Sequence, residues 1–304
     1  TRGASQALRG TVRRGRAYAG GMVDPSEVRD FLLTRRARLL PQDVGLPAGG
    51  GLRRVPGLRR EEVALLTGLS VEYYTRLERG RLEGASERVL HAVADALRLD
   101  DAEREHLLDL ARASRDGGPR RRFPSADAPV RESARLLLES IAAPAFLRNH
   151  RRDIVAANPL GRALYAPMFE DPVSPPNTAR FAFLDPRARE FYANWELAAG
   201  NIVAVLRSDV GRYWDDPLLQ QLVADLTRRS GDFRDRWADH EVRHHHTGRK
   251  HYRHPLVGDV RLLFESLPLQ PENGLVLSVY PAEPGTPSVQ ALARLADLSR
   301  VPSR

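Results

Sequence analysis

The chain has no cysteine and a single lysine. Of its 304 residues 47 are basic, and all of these but Lys250 are arginine. Without cysteine there is neither a disulfide framework nor a thiolate metal site, and the composition is compatible with a reducing compartment. A lone lysine makes Schiff-base catalysis a poor expectation, and the absence of a Gly-x-Ser-x-Gly segment removes the nucleophile elbow of serine hydrolases. No apolar run approaches the ~18 residues of a membrane helix. The first 21 residues carry five arginines and no acid but lack the apolar core of a secretory signal. Gly49, Gly50 and Gly51 lie in an irregular stretch from Pro41 to Pro56, yet no strand precedes them in the manner of a nucleotide-binding loop.

What is abundant is positive charge. The net charge is +8 and the sequence pI is about 10.3, a balance that favours an acidic partner, with nucleic acid the default. The excess is local. Residues 29–81 hold eleven arginines against six acids, whereas residues 82–115 hold five against eight. The preference for arginine over lysine is read as the composition of a GC-rich genome.

The basic region contains RREEVALLTGLSVEYYTRLERGR, Arg59 to Arg81. It predicts one helix from about Arg59 to Thr67, a turn over Gly68, Leu69 and Ser70, and a second helix from Val71 to Arg79. Gly68 supplies the left-handed backbone that ends the first helix. Ser70 is an N-cap, and Glu72 in the next turn suits the helix dipole. Val63, Ala64, Leu69, Tyr74 and Leu77 converge between the helices, which leaves Glu72, Tyr73, Arg76 and Arg79 outward. A rigid helix presenting such side chains fits a DNA major groove. The bland alternative is a helical hairpin in any bundle. The segment resembles the helix-turn-helix of the Xre and lambda-repressor family, with small-x-x-x-Gly on Ala64 and Gly68 and Leu-Glu-x-Gly on Leu77, Glu78 and Gly80. The resemblance implies base-contacting positions at Ser70, Val71, Glu72 and Arg76, and a phosphate or base contact at Arg60. Arg59 and Arg79 are added as backbone contacts.

Further helices are expected over Pro25–Leu40, Ser86–Leu97 and Ala102–Ala113, giving about five in all. The Gly-, Pro- and Arg-rich segment 115–129 reads as a linker. Beyond it the pattern changes. A helix over Val130–Ala142 is followed by strands at Ala145–Asn149 and Asp153–Ala157. Asn158 then caps a helix with Pro159 at its first position. A long helix is expected over Asp185–Arg207, and others over Pro217–Arg229 and Asp232–Val242. Three strands follow, Lys250–Pro255, Val260–Leu267 and Leu275–Tyr280, before a closing helix at Ser288–Leu298.

WELAAGNIVAVLR at Trp195–Arg207, SGDFRDRWADHEV, HPLVG at His254–Gly258 and AEPGTPS, taken with the Asn158–Pro159 start and the helix-turn-helix, make the chain resemble MmyB-like transcription regulators. That resemblance implies a PAS-like fold and a bacterial factor sensing a small, apolar ligand, with fatty acids leading. The expected fold is multidomain, all-α followed by α+β, the latter a five-stranded mixed or antiparallel sheet covered by helices. The division is 1–22, either a disordered basic arm or a misassigned start; 23–114, a DNA-binding domain; 115–129, a linker; and 130–300, a PAS-like ligand-binding domain. Phe191, Trp195, Ile202, Leu206 and Phe264 are the expected pocket lining, against the plain alternative that they pack as core. Arg207 is the candidate cation for a ligand carboxylate. A homodimer in the bacterial cytoplasm is expected, acting on double-stranded DNA, with no cofactor, catalytic residue or membrane partner.

One motif competes. His240, Glu241 and His244 form His-Glu-x-x-His, which on a helix sets two imidazoles and a general base as in zinc peptidases. Arg243 inside the motif, and a helix that ends at His245–Gly248 with no third ligand, argue against it. A surface histidine cluster is the better reading.

Overall fold

The computed structural model describes residues 25–47, 57–114, 130–170, 175–239, 247–269 and 274–300. The first two segments form a helical group: α1 (Pro25–Ala37), α2 (Arg60–Thr67), α3 (Val71–Glu78), α4 (Glu87–Ala96) and α5 (Asp101–Ala113), with a short 3-10 turn at Pro41–Val44. Local sequence sets each boundary. Gly68 takes φ +67° after α2, and the Ser70 hydroxyl accepts from the Tyr73 amide at 3.1 Å to start α3. Asp100 and Glu103 cap α5 reciprocally, amide to carboxylate, at 2.8 and 3.2 Å. Gly80 has φ +85°, and a Cβ there would collide with the Pro25 carbonyl, so only glycine lets α3 end against the start of α1. Val28, Phe31, Leu58, Val63, Tyr74 and Leu77 fill the core between these helices.

At the centre of this group a carboxylate is buried. The Glu78 side chain is fully enclosed and receives Arg36 Nε at 2.8 Å and Arg60 at 2.8 Å. It thereby locks the end of α3 to α1 and to the start of α2. Such a group is tolerated only because it is paired.

The remainder begins with α6 (Glu132–Ser140) and builds one sheet. Its strands are β1 (Ala145–Arg148), β2 (Ile154–Ala157), β3 (Thr247–His254), β4 (Gly258–Pro268) and β5 (Val276–Val279). They lie in the order β2-β1-β5-β4-β3, and every pairing is antiparallel. Between β2 and β3 run α7 (Pro159–Leu164), α8 (Ala166–Phe169), α9 (Thr178–Leu184), α10 (Ala188–Phe191), α11 (Trp195–Arg212), α12 (Pro217–Arg229) and α13 (Gly231–Ala238), and α14 (Pro287–Arg300) closes the order. Asn158 fixes the turn from sheet to helix: its Oδ1 accepts from Ala145 N and Gly161 N, and its Nδ2 donates to the Ile141 and Ala143 carbonyls.

The single helix expected over Asp185–Arg207 is instead two. After α10 the chain bonds to the sheet edge, with Tyr192 bridging to Tyr252 and the Ala193 amide donating to the His251 carbonyl at 3.1 Å. Asn194 then caps a new helix through the Leu197 amide at 3.0 Å. That helix, α11, runs on to Arg212. Its second half leaves the sheet and packs on α5, and Gly211 lets His106 approach so closely that a Cβ would come to 2.7 Å from the imidazole.

Glu78→Ala should leave the buried Arg36 guanidinium without its partner, and removing one member of a buried pair costs ~3–5 kcal/mol. Denaturant unfolding of the helical group is expected to show a loss of about that size, against a much smaller one for Arg60→Ala, whose side chain is 44% exposed.

Candidate nucleic-acid face and ligand cavity

The outward surface of α3 and the start of α2 form the first site. Ser70, Glu72, Arg76 and Arg79 are exposed, Val71 and Tyr73 are half-buried, and Arg59 and Arg60 flank them at the start of α2. The Arg76 guanidinium stacks over the Tyr73 ring at 4.7 Å, which limits its rotamers before any partner arrives. Arg60 is turned towards Glu78 by its ion pair.

The second site is a cavity of about 570 Å³ between the first half of α11, strands β3 and β4, and the start of α14. Leu197, Ala198, Tyr252, Leu262 and Pro287 supply apolar wall, and Leu197 is half-exposed. Polar pairs stand among its lining residues, Arg249 with Glu283 at 2.9 Å and His251 with Asp259 at 3.3 Å. A smaller chamber of about 50 Å³ adjoins it, enclosed by Phe146, Tyr165, Ile202, Phe264 and Tyr280 together with Arg148, Arg152 and Lys250.

Arg152 reaches that chamber because of the β1–β2 turn. Asn149 folds it, its side-chain oxygen accepting from the Arg151 amide at 2.9 Å and the Asp153 amide at 3.0 Å. Asp216, the N-cap of α12, clamps it from outside, accepting from His150 Nε2 at 2.5 Å and Arg151 Nε at 2.6 Å. Burial opposes ionisation of Asp216, but these two hydrogen bonds outweigh it and hold its carboxyl down at about 2. So constrained, Arg152 adopts φ +71°, a left-handed backbone rare for a side chain of its size, and is 5% exposed. A register shift between Leu147 and Arg148 breaks the regular β1–β2 pairing at Arg148.

Lys250 is on the inward face of β3, opposite Leu262, with its ammonium 4.7 Å above the Phe264 ring. It is half-buried and lines both cavities. Burial, then the charges of Arg148 and Arg152, pull its pKa down to about 7. Burial likewise lowers Arg152 to about 9, with Arg148 adding to the shift and Asp209 opposing it. The phenols of Tyr165 and Tyr252, hydroxyl to hydroxyl at 2.7 Å, are pushed up by burial and stay neutral donors and acceptors.

Two family models match the sequence. One, the MmyB-like transcription regulator ligand binding domain, covers residues 130–295, more than half of the chain. The chain belongs to this family. The other, a helix-turn-helix domain, covers residues 11–107. A search of curated proteins finds no match. The protein is therefore a DNA-binding transcription regulator with a ligand-binding domain. Among the described residues no helix is long and apolar enough to cross a membrane, and no group of three or more His, Cys, Asp or Glu side chains could hold a metal ion. His240, Glu241 and His244 lie outside the described residues.

In the ligand-binding domain, two of the residues picked out as pocket lining, Ile202 and Phe264, do meet at the inner chamber. Four others do not line either cavity. Phe191 packs in the aromatic cluster with Tyr165, Phe181 and Tyr252. Trp195 donates its indole N–H to the Ala182 carbonyl at 2.9 Å and is covered by Arg189. Leu206 is fully buried with Val203, Tyr213, Leu219 and Leu226. Arg207 is a correction of a different kind: it faces α1. Its guanidinium pairs with Glu27, donates to the Trp237 carbonyl and stacks on the Trp237 ring at 4.1 Å. The cavity face of α11 is Asn194, Leu197, Ala198 and Asn201, a helical i, i+3, i+4, i+7 set. Its mixed polar and small composition was the available signal. A lysine at an inward position of a strand was another.

Lys250 also fixes a pH dependence. Its folded pKa of about 7 lies below the unpaired value of 10.5, so the folded chain binds fewer protons than the unfolded chain between those values. The penalty for its charge is complete below pH 7 and is relieved as pH rises through that window. The melting temperature without ligand should therefore gain more between pH 7 and pH 9 in the wild type than in Lys250→Met. Parallel curves would contradict this.

Proposed function

We propose that the protein binds an operator sequence through α3 and that a small, predominantly apolar, fatty-acid-like ligand in the α11–β3–β4 cavity modulates that binding. Arg76 and Glu72 read base edges, with Ser70, Val71 and Tyr73 at the groove. Arg59, Arg60 and Arg79 hold phosphates. Arg60 is oriented for this by Glu78 rather than free to search. A homodimer in the bacterial cytoplasm suits the reading, since one such module buries little DNA and paired modules read half-sites one helical turn apart.

One observation carries the modulation. A single helix, α11, lines the cavity with its first half and packs on α5 of the helical group with its second. A ligand that changes the position of Asn194–Asn201 therefore acts on a rigid element that ends at the DNA-binding half. It shifts operator affinity by no more than its own differential affinity for the two arrangements. The chemistry required is binding alone, and no reacting group is invoked.

Arg76→Ala should weaken operator binding by ~1–3 kcal/mol and relax base preference at one position of each half-site. Arg79→Ala should weaken all sequences alike and flatten the salt dependence. Gel-shift titrations against operator and scrambled DNA at two salt concentrations measure both. Equal loss of specificity in the two variants would show that another face of α3 enters the groove.

A further inference from the structure

Lys250 is the only lysine of the chain, and it stands where the two spaces meet. An inward position on a strand is ordinarily apolar, and its neighbours on that face of β3 and β4 include Tyr252, Leu262 and Phe264. The outer cavity and the inner chamber share Lys250 with Tyr192, Ala198, Asn201 and Tyr252. A molecule in the outer cavity therefore meets this amine at the junction.

That setting changes what the amine can do. A lysine in water is an ammonium, with no lone pair to share. Here burial, aided by the charges of Arg148 on β1 and Arg152 in the β1–β2 turn, brings the pKa to about 7. At pH 7.5 more than about half of the side chains are then neutral amine. A desolvated lysine beside other cations is the arrangement that makes an amine nucleophilic at neutral pH. Arginine has no such option, because it stays protonated. The Tyr252 hydroxyl and the Asn201 amide line the same junction, and burial keeps the phenol neutral, so both can donate to a carbonyl oxygen. A lone lysine was a poor prospect for Schiff-base catalysis, but capture needs one amine and no turnover.

We propose that Lys250 is a covalent capture site for a carbonyl ligand, an aldehyde or ketone carrying an apolar chain, which it holds in the cavity as an imine. The nitrogen lone pair adds to the carbonyl carbon and the C=O π pair moves to oxygen. That oxygen takes the two protons the amine nitrogen gives up and leaves as water, and the C=N bond forms. Nothing is oxidised or reduced, no co-reactant is needed, and hydrolysis reverses the step. The apolar chain lies against Leu197, Ala198 and Leu262. This rests on the reading that the α11–β3–β4 cavity is the ligand site, and it adds a second ligand class to that site.

Decanal, a saturated aldehyde with no other route to an amine, tests it. The full chain is incubated with decanal at pH 7.5, treated with borohydride to turn any imine into a stable secondary amine, and mapped by peptide mass spectrometry. The peptide carrying Lys250 should gain the mass of the aldehyde less one oxygen atom. The folded chain should be labelled there at least tenfold faster than the chain unfolded in urea, where the amine returns to its ordinary pKa of 10.5 and is almost wholly protonated. 1-Decanol, which has the same chain length and cannot form an imine, should slow the labelling. Lys250→Met should abolish it while still binding decanol by calorimetry, and Lys250→Arg serves if the first variant fails to fold. Labelling of Lys250 less than tenfold faster in the folded chain, or a rate that decanol leaves unchanged, overturns the capture site. The cavity reading still stands in that case if decanol binds. If decanol neither binds nor raises the melting temperature, both fall.

Discussion

A guanidinium that no water reaches has to be satisfied by protein, and Arg207 is satisfied across the boundary between the two halves of this chain. Its side chain is fully buried, paired with Glu27 of α1 and held against the ring and carbonyl of Trp237 from α13. Breaking the halves apart would strand this charge, so the contact acts less as glue than as a rule about orientation. The surroundings enforce the same register. Gly211 has no side chain because His106 occupies that space, and His106 in turn meets Phe31 edge-on at 5.0 Å. Arg35, also buried, pairs with Glu103 at 2.7 Å on the helical side of the same seam. With the second half of α11 so fixed, it is the first half that would report an occupied cavity in the function we propose.

The ligand-binding domain is not built for maximal stability. Its sheet faces inward with Lys250, Arg148 and Arg152 where branched apolar residues would pack better, and its β1–β2 turn carries a left-handed arginine. Natural sites of this kind trade stability for function. Elsewhere the packing is ordinary: Leu219, Leu222, Val223 and Leu226 of α12 are buried together with Val203, Leu206 and Phe233. The helical group shows the same division. Glu78 is a buried charge kept for geometry, whereas Val28, Phe31 and Tyr74 supply the apolar burial, worth roughly 25 cal/mol per Å².

Much of this was legible in the chain because the signals are local. Cap, turn glycine and small crossing residue mark α2 and α3 within one short segment, and Asn158–Pro159 marks the junction of sheet and helix. Both family resemblances rest on such segments. What was not legible depends on contacts between distant residues. The break before α11 arises because Tyr192 and Ala193 bond to β3, about sixty residues later in the chain. Trp195, Ile202 and Leu206 make an apolar stripe, and stripes look alike whether they meet a cavity or another helix, so the pattern alone does not separate Ile202, which lines a cavity, from Trp195 and Leu206, which do not. Arg207 was read as a ligand cation because burial of an arginine is invisible until its partner, Glu27, is known to lie beside it. The cations that do line the cavity stand in a turn and on a polar strand, where an arginine or lysine attracts no notice.

The central claim is that the cavity and the operator-binding helix share one free-energy balance through α11. Linkage makes this measurable without knowing which half moves: whatever factor a ligand imposes on operator affinity, operator must impose on the ligand. Decanoate affinity, measured by calorimetry with and without a saturating operator duplex selected in vitro, tests it most directly. The account predicts a change of about fivefold or more, matched by the change decanoate makes in operator affinity. An identical decanoate affinity in the two titrations would contradict it.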